Sequence, residues 1–481
     1  AGRTQGDPLQ MPSTRRFPLP SLRRASQWLA VLLVSAPVIA LAQTTPAVST
    51  IVAFSSSQPN SAPVRGPDGA LYGTTSVAST TTGGLIYRAE VDGTAIVTLH
   101  QLTITEGYSP VGGLILGSDG RLYGTTSIGA LTEANTAGTV FRIQPDGTGF
   151  TILYRFQTYS AANQAGTAVN ADGANPETEL VEGNDGFLYG ITRAGGANGT
   201  GVIFKVSKEG TGFAVLHTFG PITSAVSATP VINEDGIGST SPLIAGADDY
   251  FYGTAANGGP SGNGTVFRVR FDGTGFEVLH AFTAIVESDS STLPTNEDGA
   301  TPIAGLTDGQ DGRLYGVTNL GGEFGNGTLY AIDPVSRVFS VLHDFDGFKG
   351  ARPTGELLLA QDGKLYGTTA TGGTNAGGTV TTAGTIYSIA RDGTGFTSLL
   401  SLDGADGSTP TGRLLQLNDT AFVGVAQGGG RCSQGTLFQF SLTGAEVDGI
   451  TNCGQRSNSG SGSLAPGLLL LLGALGLARR T

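Results

Sequence analysis

Apolar and polar residues alternate along most of this chain in short runs, and each run stops at glycine or at Asp-Gly. Between residues 110 and 156 the runs are 113–117 (GLILG), 121–127 (RLYGTTS), 138–143 (GTVFRI) and 150–156 (FTILYRF). A period of two, with β-branched and aromatic residues between tight-turn signals, predicts four antiparallel strands, here called a to d. Ser118-Asp119-Gly120 turns a into b, and Asp146-Gly147-Thr148-Gly149 turns c into d. A longer Gly/Asn/Thr-rich stretch joins b to c. No segment between the two ends sustains a 3.6-residue apolar period, so no helix is expected in the body.

The four-run unit recurs. Its Tyr-Gly mark on strand b stands at Tyr72, Tyr123, Tyr189, Tyr252, Tyr315 and Tyr366, with Val423-Gly424 in the last copy. Seven four-stranded units of this size predict an all-β fold, a seven-bladed β-propeller. Strand d occurs six times after its own strand c, at 95–102, 150–156, 213–219, 276–282, 339–345 and 396–402. The seventh copy, 48–54, precedes everything else, and the last unit has no strand d of its own. The N-terminal strand is therefore expected to complete the last blade and close the ring, which removes open radial ends. A β-solenoid is the alternative, but it has no need of a missing strand at the far end of the chain.

The two ends read differently from the body. Arg15, Arg16, Arg23 and Arg24 precede the apolar run 28–42, which ends in Ala40-Leu41-Ala42. That order predicts a leader and signal peptide over 1–42, with the propeller over 43–450. A Gly/Ser-rich spacer follows over 451–463, then an apolar segment over 464–481 that ends near Arg479 and Arg480. It is expected to act as a C-terminal sorting or membrane-anchor segment. The expected location is outside the cytoplasm, at a bacterial cell surface or secreted, with membrane contact only through these terminal segments.

Composition sharpens the picture. The chain has 77 glycines in 481 residues and a net charge of −12; without residues 1–42 and 463–481 the charge deepens to −18. A surface so acidic argues against nucleic acid, whose phosphates need a basic footprint. Two cysteines, Cys432 and Cys453, are expected to pair as a disulfide in an exported chain.

Asp-Gly, Leu-Tyr-Gly-Thr-Thr, Gly-Thr-Val-Phe and Asp-Gly-Thr-Gly-Phe recur in that order over about 48–445. This sequence resembles the GloVer tandem repeat of exported bacterial "choice-of-anchor" proteins. The resemblance implies a propeller and a surface location, and brings no established activity or catalytic residues. The tail resembles GlyGly-CTERM sorting signals, although Gly460-Ser461-Gly462 stands where that family has a Gly-Gly pair. In that family a rhomboid-like protease removes the tail.

Candidate chemistry is sparse. His100, His217, His280 and His343 share one position of strand d, filled elsewhere by Tyr154, Leu400 and Ala53. In separate blades they cannot share a metal, and repeat packing accounts for them. The Tyr-Gly pairs read as blade packing, with glycine allowing close backbone approach. Residues 258–264 and 321–327 mimic dinucleotide fingerprints but lack the helix that would hold a pyrophosphate. No G-x-S-x-G, H-E-x-x-H or P-loop occurs. Length variation falls in the b–c and d–a connections, which emerge on one face, and loops there carry function. Their acidic and amide residues are Asp172, Asn175, Glu177 and Glu179, then Glu234 and Asp235, then Glu297 and Asp298. Such oxygen ligands form a candidate rim for calcium or another ligand; no other cofactor is expected.

The resulting expectation is a monomeric surface propeller that binds or scaffolds a surface partner or glycan through this rim. The alternative is an extracellular carbohydrate-active or other hydrolase or lyase that uses rim carboxylates. That alternative requires carboxylates from different blades to converge on the central channel.

Overall fold

The computed structural model describes Gly2 and residues 45–444, except 77–82, 130–136, 163–166, 225–229, 287–292, 375–377 and 379–381. The expected signal peptide, spacer and C-terminal segment, and Cys453, lie outside the described residues. Among the described residues there is no helix. Seven antiparallel sheets of four or five strands follow one another along the chain as a seven-bladed β-propeller, and a small two-stranded hairpin, Ala161–Ala162 with Ala168–Val169, lies between blades 2 and 3 in sequence. In blade 2, strands a to d are Ile115–Leu116, Leu122–Thr126, Thr139–Ile143 and Thr151–Arg155, paired in that order. Blade 1 spans 58–101, blade 3 181–218, blade 4 244–281, blade 5 307–344 and blade 6 351–401.

Blade 7 joins Ser408–Gln416, Ala421–Gly428 and Thr436–Ser441 to Ala47–Ala53. The N-terminal strand pairs from Ala47 opposite Ser441 to Ala53 opposite Thr436, as the sequence predicts, and the solenoid alternative falls. The core repeats the same logic. Each hydrophobic cluster sits between two neighbouring blades rather than inside one. The closing cluster mixes Ile51, Val52 and Phe54 with Leu71 and Tyr87 of blade 1 and Val423, Val425 and Leu437 of blade 7.

The repeated words of the sequence now have physical meanings. The strand-b tyrosine donates its hydroxyl to the aspartate of the a–b turn: Tyr123 to Asp119 at 2.7 Å, Tyr189 to Asp185 at 2.7 Å, Tyr366 to Asp362 at 2.8 Å. The glycine after it lies under the strand-c aromatic. A Cβ at Gly253 would run into the Phe267 ring, and one at Gly316 into Tyr330.

Strand d carries a register shift in every blade, at the residue before the histidine position. The bulge lets the histidine stack on the phenylalanine of the next blade's Asp-Gly-Thr-Gly-Phe or its counterpart. His217 stacks on Phe276 at 3.7 Å between ring centres, His280 on Phe339 at 3.8 Å, and Tyr154 on Phe213 at 3.7 Å. In blade 7 the register gives this place to Val52, opposite Leu437, and not to Ala53. Counted back from the phenylalanine that ends the strand, Val52-Ala53-Phe54 matches His217-Thr218-Phe219, so the expectation for Ala53 is one residue out of step.

Strand a is the innermost. In every blade it touches strand b in two places, with a bow between. In blade 3 Ala174 bridges Ala194, then Val181 pairs with Tyr189. The bow opens on a left-handed residue: Ser109, Asn175, Thr301, Arg352 and Thr409 have φ between 54° and 59°, and each is followed by proline. That backbone is costly for a non-glycine residue, of order 1–3 kcal/mol. The bows of all seven blades surround the channel, on the face where the b–c and d–a connections emerge.

Candidate functional site

The loop acids do not form a rim of free ligands. Asp172 accepts hydrogen bonds from the Tyr154 hydroxyl at 2.7 Å and the Gln157 amide at 3.0 Å. Asp235 faces His217 Nε2 at 3.1 Å and accepts from the Gly220 amide at 2.8 Å. Asp298 faces His280 Nε2 at 2.9 Å and accepts from Asn296 at 3.0 Å and from both the amide and the hydroxyl of Thr283. Burial pushes the Asp298 carboxyl up, but the bonds from His280 and Thr283 outweigh it and hold it below its ordinary value. In all three blades the partner on strand d lies eighteen residues before the aspartate. These acids staple their own d–a loop to strand d. Asn175 is likewise engaged, accepting from the Tyr159 hydroxyl and donating to the Ser127 carbonyl. Glu234 and Glu297 are exposed on the surface. Among the described residues no three His, Cys, Asp or Glu side chains gather to hold a metal ion.

A staple of this kind has a measurable weight. Asp298→Ala leaves several donors unpaired and is expected to cost about 2–3 kcal/mol. Glu297→Ala, one position away and exposed, should stay within about 0.5 kcal/mol of wild type. Chemical denaturation of the two variants makes the comparison; equal effects would contradict the stapling role.

The convergence that the rim lacks is found at the channel mouth. A cavity of about 340 Å³ is lined by the strand-a bows of all seven blades, near the lower end of the ~300–1,000 Å³ usual for small-ligand sites. Two residue positions of the bow face it. The outer ring is Asn60, Val111, Glu177, Thr240, Ile303, Thr354 and Thr411. The inner ring stands just before the residue that begins the strand-a core, and reads Ala62, Gly113, Glu179, Pro242, Gly305, Glu356 and Arg413. Four blades place a small residue or proline there. Three place a charge.

The charges use the room the other blades leave. The Glu179 carboxylate lies across Gly113 of the preceding blade, and Glu356 lies across Gly305 in the same way; a Cβ at either glycine would strike the carboxylate. Arg413 Nη1 is 3.9 Å from Glu356 Oε2, an ion pair too long for a hydrogen bond, with the arginine side chain half-exposed and Glu356 only 12% exposed. Burial pushes Glu179 up to about 7, and the charge of Glu356 adds to this against the opposing pull of Arg413. Glu356 is raised by the same burial, again opposed by Arg413. At the outer ring, burial raises Glu177 while Arg193, 3.5 Å away, opposes the shift.

Of the channel charges, the sequence reading singled out Glu177 and Glu179 as loop acids and missed Glu356 and Arg413. The available signal was the alignment of the seven bows. Thr-Glu-Leu (178–180), Gly-Glu-Leu (355–357) and Gly-Arg-Leu (412–414) stand where other copies have Gly-Gly-Leu (112–114) and Ala-Gly-Leu (304–306). Two acids and a base at one register of one ring would have been visible there.

Solved structures with similar folds include a GH74 enzyme of Niastella koreensis, at 13% identity over 82% of this chain and a TM-score of 0.50. This chain covers 53% of that one. An oligogalacturonate lyase in complex with manganese is 13% identical over 83% of this chain and 94% of its own, with a TM-score of 0.47. A nidogen/laminin complex is 13% identical over 68% and 92% of the two chains, with a TM-score of 0.37. The likeness to the GH74 enzyme is one of fold alone. No curated protein matches the sequence. The Gloeobacter/Verrucomicrobia repeat matches four overlapping stretches, 38–237, 167–295, 233–382 and 290–465. The chain, with its repeated blades and closing N-terminal strand, belongs to the Gloeobacter/Verrucomicrobia repeat family.

Proposed function

We propose that this propeller is a binding module, exported and held at the cell surface, whose small ligand enters the mouth of the central channel. The observation that carries the reading is Glu179. Its half-buried carboxylate lines the cavity at a ring position that four other blades fill with Gly, Ala or Pro, and no hydrogen bond of the described residues needs it there. The acidic loops around the mouth serve mainly to fix the d–a connections, so the ligand meets the channel rings and not the loop aspartates. Export and surface display are supported by the apolar run 28–42 and the tail 464–481.

A second reading rests on the pairing itself. Two carboxylates whose pKa values are held above the ordinary range in one cavity suit general acid–base work, as an extracellular hydrolase or lyase would need. In that case turnover, and not binding alone, would depend on both Glu179 and Glu356.

A thermal-shift screen with amines, amino acids, sugars and oligosaccharides tests the binding reading. A ligand that raises the melting temperature of the wild type is expected to lose its effect on Glu179→Gln/Glu356→Gln and keep it on Glu234→Gln/Glu297→Gln. The reverse pattern would move the site back to the loops.

A further inference from the structure

We infer that the channel mouth is a receptor for a small organic cation, a primary ammonium whose N–H donors are accepted by the carboxylates of Glu179 and Glu356; the inference rests on the channel-mouth reading above. The two acids reach the cavity from blades 3 and 6, so a ligand between them is held from two sides. Glu179 is half-buried in the cavity lining and accepts no hydrogen bond from the described residues, so an acceptor faces the cavity unused. With both acids ionised, Glu179, Glu356 and Arg413 sum to one net negative charge, which one ammonium neutralises. Glu177 is already matched by Arg193.

The donor set suits an ammonium better than a hard metal ion. Calcium takes six to eight oxygens, while an ammonium has three donors to place. Thr240, Thr354 and Thr411 stand on the outer ring beside the acids. Val111, Pro242 and Ile303 give the cavity an apolar side for a short alkyl chain. Arg413, half-exposed, is drawn toward Glu356 and is near enough to pull on Glu179 as well.

The cation competes with a proton. The charged groups that face Glu179 are Glu356 and Arg413, with the Glu177–Arg193 pair at the outer ring. As pH falls through the value near 7 the carboxyl of Glu179 is protonated, and an ammonium must then release that proton to solvent to bind.

The test uses three probes of one shape: n-butylammonium, n-butanol and butyrate. Calorimetry and thermal shift on the purified protein should show butylammonium binding at pH 8 and neither of the others. Its affinity should fall about tenfold from pH 8 to pH 6, in step with the ionised fraction of the site. Glu179→Gln should lose binding at both pH values while melting cooperatively. Butylammonium no better than butanol at pH 8, or unaffected by Glu179→Gln, overturns the inference. If glucose or another neutral polyol binds instead in a Glu179-dependent way, the channel-mouth reading stands and the ammonium falls. If no probe depends on Glu179, both fall together.

Discussion

Removal of residues 45–54 abolishes the cooperative unfolding of the propeller. The segment supplies strand d of blade 7, pairing six of its residues with 436–441, and the Phe54 amide adds a bond to the Gly435 carbonyl. Ile51, Val52 and Phe54 are all buried, at 0%, 2% and 6% exposure. At about 1.5–3 kcal/mol for each such side chain, their loss alone approaches the whole stability of a typical domain, about 5–15 kcal/mol. The deletion also uncovers Leu437 and the blade 7 face of the closing cluster and leaves strand c as an exposed sheet edge. The truncated chain should aggregate or melt without a sharp transition. Adding the peptide 45–54 in excess should restore a concentration-dependent melt. An unchanged melting temperature after the deletion would show that the ring is not held at this seam.

Glu179→Gln makes the protein more stable at pH 8. The carboxyl of Glu179 is pushed from an ordinary value near 4.5 up to about 7, and each pKa unit is worth ~1.36 kcal/mol, so the ionised group costs the folded state about 3 kcal/mol. The sign follows from proton counting. Between the unfolded and folded pKa values the native state holds a proton that the unfolded chain has released, so stability declines as pH rises through this window. Below about 4.5 the group is protonated in both states and the cost disappears. Denaturant titrations of wild type and variant should therefore diverge from pH 5 to pH 8, the variant ending above the wild type. Equal stability at pH 8 would mean that the Glu179 charge is fully compensated in the folded protein. A stabilising loss of a side chain is the signature of a group kept for function at a cost to the fold.

What could be read in advance was what the chain repeats. Tyr123 and its counterparts, the glycines after them, the Asp-Gly turns and the displaced strand 47–53 recur at fixed places in the unit, so seven copies average out local ambiguity. The partners of the loop acids were hidden for a definite reason. Asp172, Asp235 and Asp298 sit in Asn- and Gly-rich turns that look like oxygen-ligand loops. Their donors are backbone amides and a side chain on a strand eighteen residues earlier, and only that constant interval in the sequence announces the pairing. The channel ring was hidden by the opposite property. Glu356 and Arg413 are single departures within a bowed segment that lies between two stretches of strand pairing, with no alternation to betray which side chain faces inward. A reading built on shared features passes over the positions at which copies differ, and those are where a repeat protein can carry a site.

The measurement closest to the central claim is a carboxyl carbon-13 titration of the protein with labelled glutamate, in wild type and Glu356→Gln. The account predicts one glutamate with a midpoint near 7, absent in Glu179→Gln. In Glu356→Gln that midpoint moves down, since the repelling charge is gone, yet stays above the ordinary value because burial remains. If every glutamate titrates in the ordinary carboxylate range, the channel mouth is a solvated pore and the site proposed here does not exist.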